Sequence, residues 1–313
     1  MAIEKKFIDQ FVNVTSNAAV ASYNFIGKKN KIAADKAAVD SMRNDLNQLN
    51  IKGKIVIGEG ELDEAPMLYI GEKVGTTNGP EIDIAVDPLE GTNFAAYNLP
   101  GALSVIAIAE KNNLFHAPET YMEKISTKVH EKGVVDLDYS TKKNIFNLCE
   151  YLNKKPESIT ACIMDRPRHK DIIDELDILG VKIKLITDGD VSGALLVTDD
   201  KYGVDIFLGI GGGPEGVLAS AALDTFECNF QGRFLFHTED DMRRAKKMGI
   251  KDLTKKYQLK EIIKGDTIFC ATGITSGDLV SGIKRENNEF ITETLVTHKS
   301  TGLKKIIKKI ENR

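Results

Sequence analysis

Cysteine is scarce and scattered: Cys149, Cys162, Cys228 and Cys270 are the only four, and no two form a C-x-x-C pair. That spacing excludes a zinc-finger or disulfide framework and fits a reducing compartment. Cys162 and Cys270 lie in the apolar runs ITACIM and TIFCAT, where the expected role is that of a small core hydrophobe. Long hydrophobic runs are missing too. The apolar stretches are short and broken by charges, so no membrane span is expected, and the opening MAIEKKF lacks signal-peptide character. There is no basic excess: 42 Lys and Arg against 46 Asp and Glu leave a net charge of −4, which argues against a duplex nucleic-acid binder. Repeats, low-complexity segments and long linkers are absent as well. The expectation is a cytoplasmic protein with neither nucleic acid nor membrane as a partner.

What is present is an ordinary globular composition, 42% hydrophobic and 28% charged over 313 residues, enough for about two domains. Phe7, Phe11, Val14, Ala18, Ala21 and Phe25 share a helical face ending at Gly27, and Ala38, Met42, Leu46 and Leu49 continue the helical period. KIVIGEGE reads as a strand entering a glycine-rich loop. Ile82, Ile84 and Val86 alternate and place Asp87 at a strand's C-terminal end, and ALSVIAIAE, apolar on both faces, reads as a central strand. A helix over about residues 140–153 closes an expected first half, residues 1–155. The second half, 156–313, alternates strand and helix: ITACIMD, HKDIIDELDILG, VKIKLITD, VSGALLV, VDIFLGIG, PEGVLASAAL. Such alternation predicts an α/β fold with a largely parallel sheet. The terminal TGLKKIIKKIENR reads as an amphipathic basic helix with a solvated lysine face.

Within this frame DIAVDPLEGTN, residues 83–93, sets Asp87 and Glu90 close to a turn, where they repel each other unless something positive lies between them. Acidic residues recur near glycines at element ends: Asp35 in ADKAA, Glu59 and Glu61 in IGEGE, Asp188 and Asp190 in TDGD, Glu215 in GGGPEG. Ligands of open α/β sheets collect beyond the strands' C-terminal ends, where Asp87, Glu59, Asp188 and Glu215 are expected. Carboxylates without nearby His or Cys suit Mg²⁺ or Mn²⁺, and two such ions can clamp a phosphoryl transfer. Each residue also has an ordinary role: Asp35 complementing a helix dipole, Glu61, Asp63 and Glu64 a solvated acidic turn. Gly211, Gly213 and Gly216 satisfy the dinucleotide pattern G-x-G-x-x-G, but Glu215 would set a negative charge against the pyrophosphate unless a metal ion intervened. Thr92 can orient a metal-bound water or simply cap a helix, with the Gly91 and Thr92 N–H groups available to phosphate oxygens. Arg166, Arg168 and His169 in DRPRH are the candidate substrate cations; a surface ion-pair cluster is the alternative.

Taken together, IVIGEGELDEAPMLYIGEKVGT, DPLEGT, APETYMEK, DRPRH, DGDVSGALL, GIGGGPEGV and ATGITSGDL, in that order, resemble the class II fructose-1,6-bisphosphatases. These are a branch of the lithium-sensitive, metal-dependent phosphatases that include inositol monophosphatase. The resemblance implies the layered αβαβα sugar-phosphatase fold, as two α/β halves with the active site between them and most metal ligands in the first. It implies metal ligands at Asp35, Glu59, Asp87, Glu90 and Glu215, and catalytic roles for Thr92, Glu59 and Lys31. Substrate contacts would be Glu90, Gly91, Thr92, Tyr121, Arg166, Pro167, Arg168, Asp188, Gly189, Asp190 and Gly212. The implied activity is hydrolysis of the 1-phosphate of fructose 1,6-bisphosphate with Mn²⁺ or Mg²⁺, in a homodimer or homotetramer. Sedoheptulose-1,7-bisphosphatase and inositol-monophosphatase-like activities are alternatives, and a nucleotide-binding oxidoreductase built on GIGGGPEG is the alternative of another class.

Overall fold

The structure is a computed structural model and describes residues 3–58 and 68–312. The chain divides into two compact units, Met1–His116 with Ile263–Arg313, and Ala117–Ile262. The first begins with α1 (Phe7–Ser22), α2 (Lys31–Gln48), β1 (Lys52–Ile57), β2 (Lys73–Val74), β3 (Glu81–Glu90), α3 (Thr92–Tyr97) and β4 (Leu103–Glu110). The second holds β5 (Tyr121–Thr127), α4 (Thr141–Leu152), β6 (Thr160–Met164), α5 (Lys170–Ile178), β7 (Lys182–Ile186), α6 (Asp190–Leu195), β8 (Ile206–Gly212), α7 (Gly213–Thr225), β9 (Asn229–Leu235), α8 (Glu239–Lys247), β10 (Lys256–Gln258) and α9 (Leu259–Ile262). The chain then returns to the first unit with β11 (Thr267–Gly273), β12 (Lys284–Glu286), β13 (Glu289–His298) and β14 (Leu303–Asn312).

The expected periodicities build the first core. Phe7, Phe11, Val14 and Ala18 of α1 and Ala38, Met42 and Leu46 of α2 are buried with Ile84, Ile106, Cys270 and Val296 of the sheet. Each large side chain so buried contributes about 1.5–3 kcal/mol. The strands run in the order β2-β1-β3-β4-β11-β13, with β12 and β14 both on β13. β4 is buried from Leu103 to Ala109 between β3 and β11, as its two apolar faces require. Asn30 starts α2 by accepting the Ala33 N–H at 3.0 Å, and Ser140 starts α4 by accepting that of Lys143 at 3.2 Å. In the second unit the order is β10-β9-β5-β8-β6-β7, over a core that includes Ile125, Ile145, Leu148, Leu176 and Ile206. All four cysteines are free and buried, and burial pushes the Cys270 thiol up. No helix among the described residues is long and apolar enough to cross a membrane.

Three expectations are corrected. The boundary expected at 155/156 falls inside the second unit, and α4 belongs there; the chain re-enters the first unit at Ile263 because β11 pairs with β4. The sheets are mixed. β6 runs parallel to β7 and β8, as the alternation predicts, but β5, β9 and β10 pair antiparallel, and among the described residues β1–β3 is the first unit's only parallel pair. Alternation counts elements and does not say which of them pair. Finally, the terminal segment is β14, an edge strand paired with β13 over ten residues. Leu303 and Ile307 pack on the core, and a spacing of four puts residues on one face of a helix and of a strand alike. Pairing with β13 decides between them, and the lysines suit an exposed edge.

Candidate functional site

In the first unit, DPLEGT is where a strand loses its regular pleat. Asp87 lies opposite Val105 and Glu90 opposite Leu103, so three steps along β3 face two along β4. A bulge therefore inserts one residue at Pro88–Leu89, where a missing proline N–H is tolerated. In an unbroken strand residues 87 and 90 would point to opposite faces; the extra residue turns both carboxylates to one face. Glu90 is buried and Asp87 half-buried. Gly91 then takes a left-handed conformation, φ 75°, and forms the N-cap of α3. A Cβ there would also stand 2.8 Å from the Phe94 ring, so the position requires glycine. Thr92 is the first residue inside the helix, so the cap is not its role.

α2 packs against β3 and α3, and the turn before it is tied to α3 by Gly27 N–H to Ala95 O at 2.9 Å and Lys29 N–H to Ala96 O at 2.8 Å. Lys31, exposed, begins α2, and Asp35 is half-buried one turn later. No acidic residue occupies the first turn of α2, so complementing the helix dipole is not the office of Asp35. Glu59, with Glu61, Asp63 and Glu64, lies outside the described residues. Among the described residues no three His, Cys, Asp or Glu side chains form a group that could hold a metal ion.

In the second unit DRPRH follows β6 and divides its labour. The exposed Arg168 donates from Nε and Nη2 to Ile210 O at 3.0 and 2.8 Å, and its guanidinium lies 4.8 Å from the Tyr121 ring centroid. Arg166 donates to Asp165 O at 3.0 Å. Neither arginine forms an ion pair among the described residues, so the ion-pair cluster is not what the segment builds. His169 is not a substrate cation. It is buried, Nδ1–H donates to Met164 O at 2.7 Å, and Nε2 accepts the Ile210 N–H at 2.8 Å. Burial pushes its pKa down against the opposing pull of the Met164 carbonyl, so the ring is neutral at pH 7. Arg168 and His169 thus hold the two polar groups of one β8 residue.

The glycines of GIGGGPEG span the end of β8 and the start of α7. A Cβ on Gly211 would stand 1.9 Å from Asp190 Oδ2, and one on Gly212 1.8 Å from Glu215 Oε2. Bare backbone is what lets both carboxylates close on this strand end. Asp190 opens α6, after Gly189, and Asp188 Oδ1 accepts the Gly189 N–H at 3.2 Å. Glu215 is in the first turn of α7, and burial, reinforced by Asp190 and opposed by Lys124, pushes its carboxyl up. Its Oε2 is buried without a hydrogen-bond partner, and the acidic side chains here offer only oxygen, so this carboxylate suits a hard cation. Gly212→Ala is expected to swing Glu215 aside and lower activity at least tenfold. The displaced group is a side-chain end, so the unfolding midpoint should move little; an active variant would sever Gly212 from the site.

Lys124 is the residue the sequence reading passes over. It closes APETYMEK, on β5, only 2% exposed, and its ammonium bonds Asp190 Oδ2 and Gly212 O, the latter at 2.7 Å. Its signal is a lysine on the strand face of buried Met122 and Ser126. Tyr121, at the start of β5, is 44% exposed and open to a ligand.

A family model described as "Bacterial fructose-1,6-bisphosphatase, glpX-encoded" matches residues 5–311. The chain is 42% identical to "Fructose-1,6-bisphosphatase 1 class 2" of Escherichia coli (strain K12) over 97% of this chain and 93% of that one. It is 41% identical to "D-fructose 1,6-bisphosphatase class 2/sedoheptulose 1,7-bisphosphatase" of Synechococcus sp. (strain JA-3-3Ab), over 92% and 90%. Among solved structures, an inositol monophosphatase from Anabaena aligns with 62% of this chain and 71% of its own at 12% identity, with a TM-score of 0.32, too low to carry an argument. With matches that span both units and every motif from IVIGEGE to ATGITSGDL, the chain belongs to the bacterial class II fructose-1,6-bisphosphatase family.

Proposed function

We propose that the chain hydrolyses the 1-phosphate of fructose 1,6-bisphosphate to fructose 6-phosphate and inorganic phosphate, a gluconeogenic step in the cytoplasm. Family membership along residues 5–311 carries the reading. The oxidoreductase reading of GIGGGPEG gives way to it, and the negative charge of Glu215 in the first turn of α7 is unsuited to a pyrophosphate. Asp35, Glu59, Asp87, Glu90 and Glu215 would hold two or more divalent ions, Mn²⁺ or Mg²⁺. Such ions, when bound, neutralise charge on the transferring phosphoryl group. Thr92 orients the attacking water through its hydroxyl, Lys31 faces the reacting phosphate, and Asp188 and Asp190 accept from sugar hydroxyls. Gly91, Gly189 and Gly212 let backbone approach the substrate, and Tyr121 offers it a flat face. Assembly as a homodimer or homotetramer belongs to the same proposal and is read by light scattering. The test of function is phosphate release from a panel of sugar bisphosphates with and without each metal. A second reading, sedoheptulose 1,7-bisphosphate as an additional substrate, is favoured by the double name of the Synechococcus relative. No phosphate release from any bisphosphate, with either metal, overturns the proposal.

The remote phosphate is assigned to Arg166 and Arg168, held apart by Pro167. Two Arg168 nitrogens already hold Ile210 O, which fixes the guanidinium's plane and leaves Nη1 for a phosphate oxygen. A charge-assisted bond is worth roughly 1.5–3 kcal/mol, so Arg168→Ala should lower kcat/KM for the bisphosphate about 10–100-fold. A monophosphate substrate should lose far less. Equal losses on both would move Arg168 from recognition to support of β8.

A further inference from the structure

Lys124 joins two loops that the sequence assigns separately. One carries Asp188 and Asp190, the other Gly212 and Glu215, and the Lys124 ammonium bonds the Asp190 carboxylate and the Gly212 carbonyl together. Both partners of the ion pair are more than nine-tenths buried, Lys124 at 2% and Asp190 at 8% exposed. The residues opposite Lys124 on β8 and β9 are Gly209 and Gly232, so its neighbours in the sheet place no side chain against it. The cluster is incomplete as a purely structural device. Asp190 Oδ1 and Glu215 Oε2 are buried acceptors without a hydrogen-bond partner, one on each loop. Natural folds pair most buried acceptors, and two exceptions side by side at one strand end call for a donor or cation to satisfy them.

From this we infer that Lys124 is a positioning residue for sugar recognition. Its ammonium fixes Asp190 through Oδ2, which leaves Oδ1 as the acceptor for a substrate hydroxyl. By holding Gly212 O it keeps the β8–α7 turn in register with that carboxylate. The ammonium also offsets the repulsion between Asp190 and Glu215, which would otherwise drive the two buried acids apart. The inference rests on the phosphatase reading and adds to it a reason for choosing a hydroxylated carbon chain between two phosphates.

The test uses the full chain with its activating metal and two ligands: fructose 1,6-bisphosphate as substrate, and 1,6-hexanediol bisphosphate, which keeps both phosphates and no sugar hydroxyl, as competitive inhibitor. Lys124→Met should raise KM for the sugar bisphosphate at least tenfold, with kcat within about threefold of wild type and the inhibitor's Ki nearly unchanged. Asp190→Asn should do the same. If Lys124 acts through Asp190, the double variant Lys124→Met/Asp190→Asn should be no worse than Asp190→Asn alone, since the losses of coupled residues do not multiply. The double variant removes both buried charges, so it also decides the question if Lys124→Met alone fails to fold. Equal losses in KM and Ki, or a double variant at least tenfold worse than Asp190→Asn, overturn the role of Lys124. An inactive wild-type protein would instead overturn the phosphatase reading itself.

Discussion

Thr92→Ala is expected to lower kcat by ~10²–10⁴, the scale of losing a group that handles or orients a proton, while Thr92→Ser should keep most of the activity. The expectation follows from the local geometry. Threonine at a helix start is usually a cap, but Gly91 already holds the N-cap position in a left-handed conformation that suits glycine. The hydroxyl of Thr92 is therefore not needed to start α3. It follows two carboxylates that the bulge in β3 has brought to one face. A structural threonine would reveal itself in stability, but a substitution outside the core is worth within about ±0.5 kcal/mol, so the unfolding midpoint should be nearly unmoved. Loss of kcat at constant stability supports the chemical role. If alanine and serine behave alike in a folded protein, the hydroxyl has no part in the reaction.

Much of the fold is legible because its signals are local. The apolar face of α1 from Phe7 to Ala18, the two-faced burial of β4 and the parallel strands β6 to β8 all follow from periods of 3.6 and 2. The errors share one cause, which is pairing across long distances. Nothing within TIFCAT says that it pairs with ALSVIAIA, yet that ladder carries the chain back to the first unit. In KKIIKKI the apolar spacing is common to helix and strand, and β13 decides.

At the candidate site the residue types were legible and their arrangement was not. Acids beside glycines mark Asp87, Glu90, Asp190 and Glu215, because glycine next to a carboxylate permits close approach; the distances at Gly211 and Gly212 are that approach. The bulge that aligns Asp87 with Glu90 depends on β4, so the sequence of β3 alone cannot reveal it. Two neighbouring arginines make His169 read as a cation, but both its ring nitrogens are taken by backbone from β6 and β8. Lys124 gives no such signal, because a single lysine in a strand ordinarily points to water.

A chelator is expected to abolish phosphate release, and Mn²⁺ or Mg²⁺ to restore it. Glu215→Gln should raise the metal concentration needed at least tenfold. Glu215 sits in the first turn of α7, with Asp190 nearby and a buried oxygen that has no hydrogen-bond partner. Burial disfavours its charge and Asp190 repels it, while Lys124 offsets only part of that. A divalent ion is the partner that makes such a charge favourable, and an all-oxygen donor selects hard cations. Glutamine keeps the shape and removes the charge, so it tests the electrostatics without opening a cavity. Thermal stability gives a readout independent of turnover. A ligand that binds only the folded state stabilises it by RT ln(1 + [L]/Kd), about 2.7 kcal/mol at a hundred times Kd. Metal should therefore raise the unfolding midpoint of the wild type, and raise that of Glu215→Gln less at the same concentration. Full activity in chelator would overturn the metal-dependent reading altogether. An equal thermal shift in both proteins would remove Glu215 from the ligands and leave the other carboxylates to hold the ion.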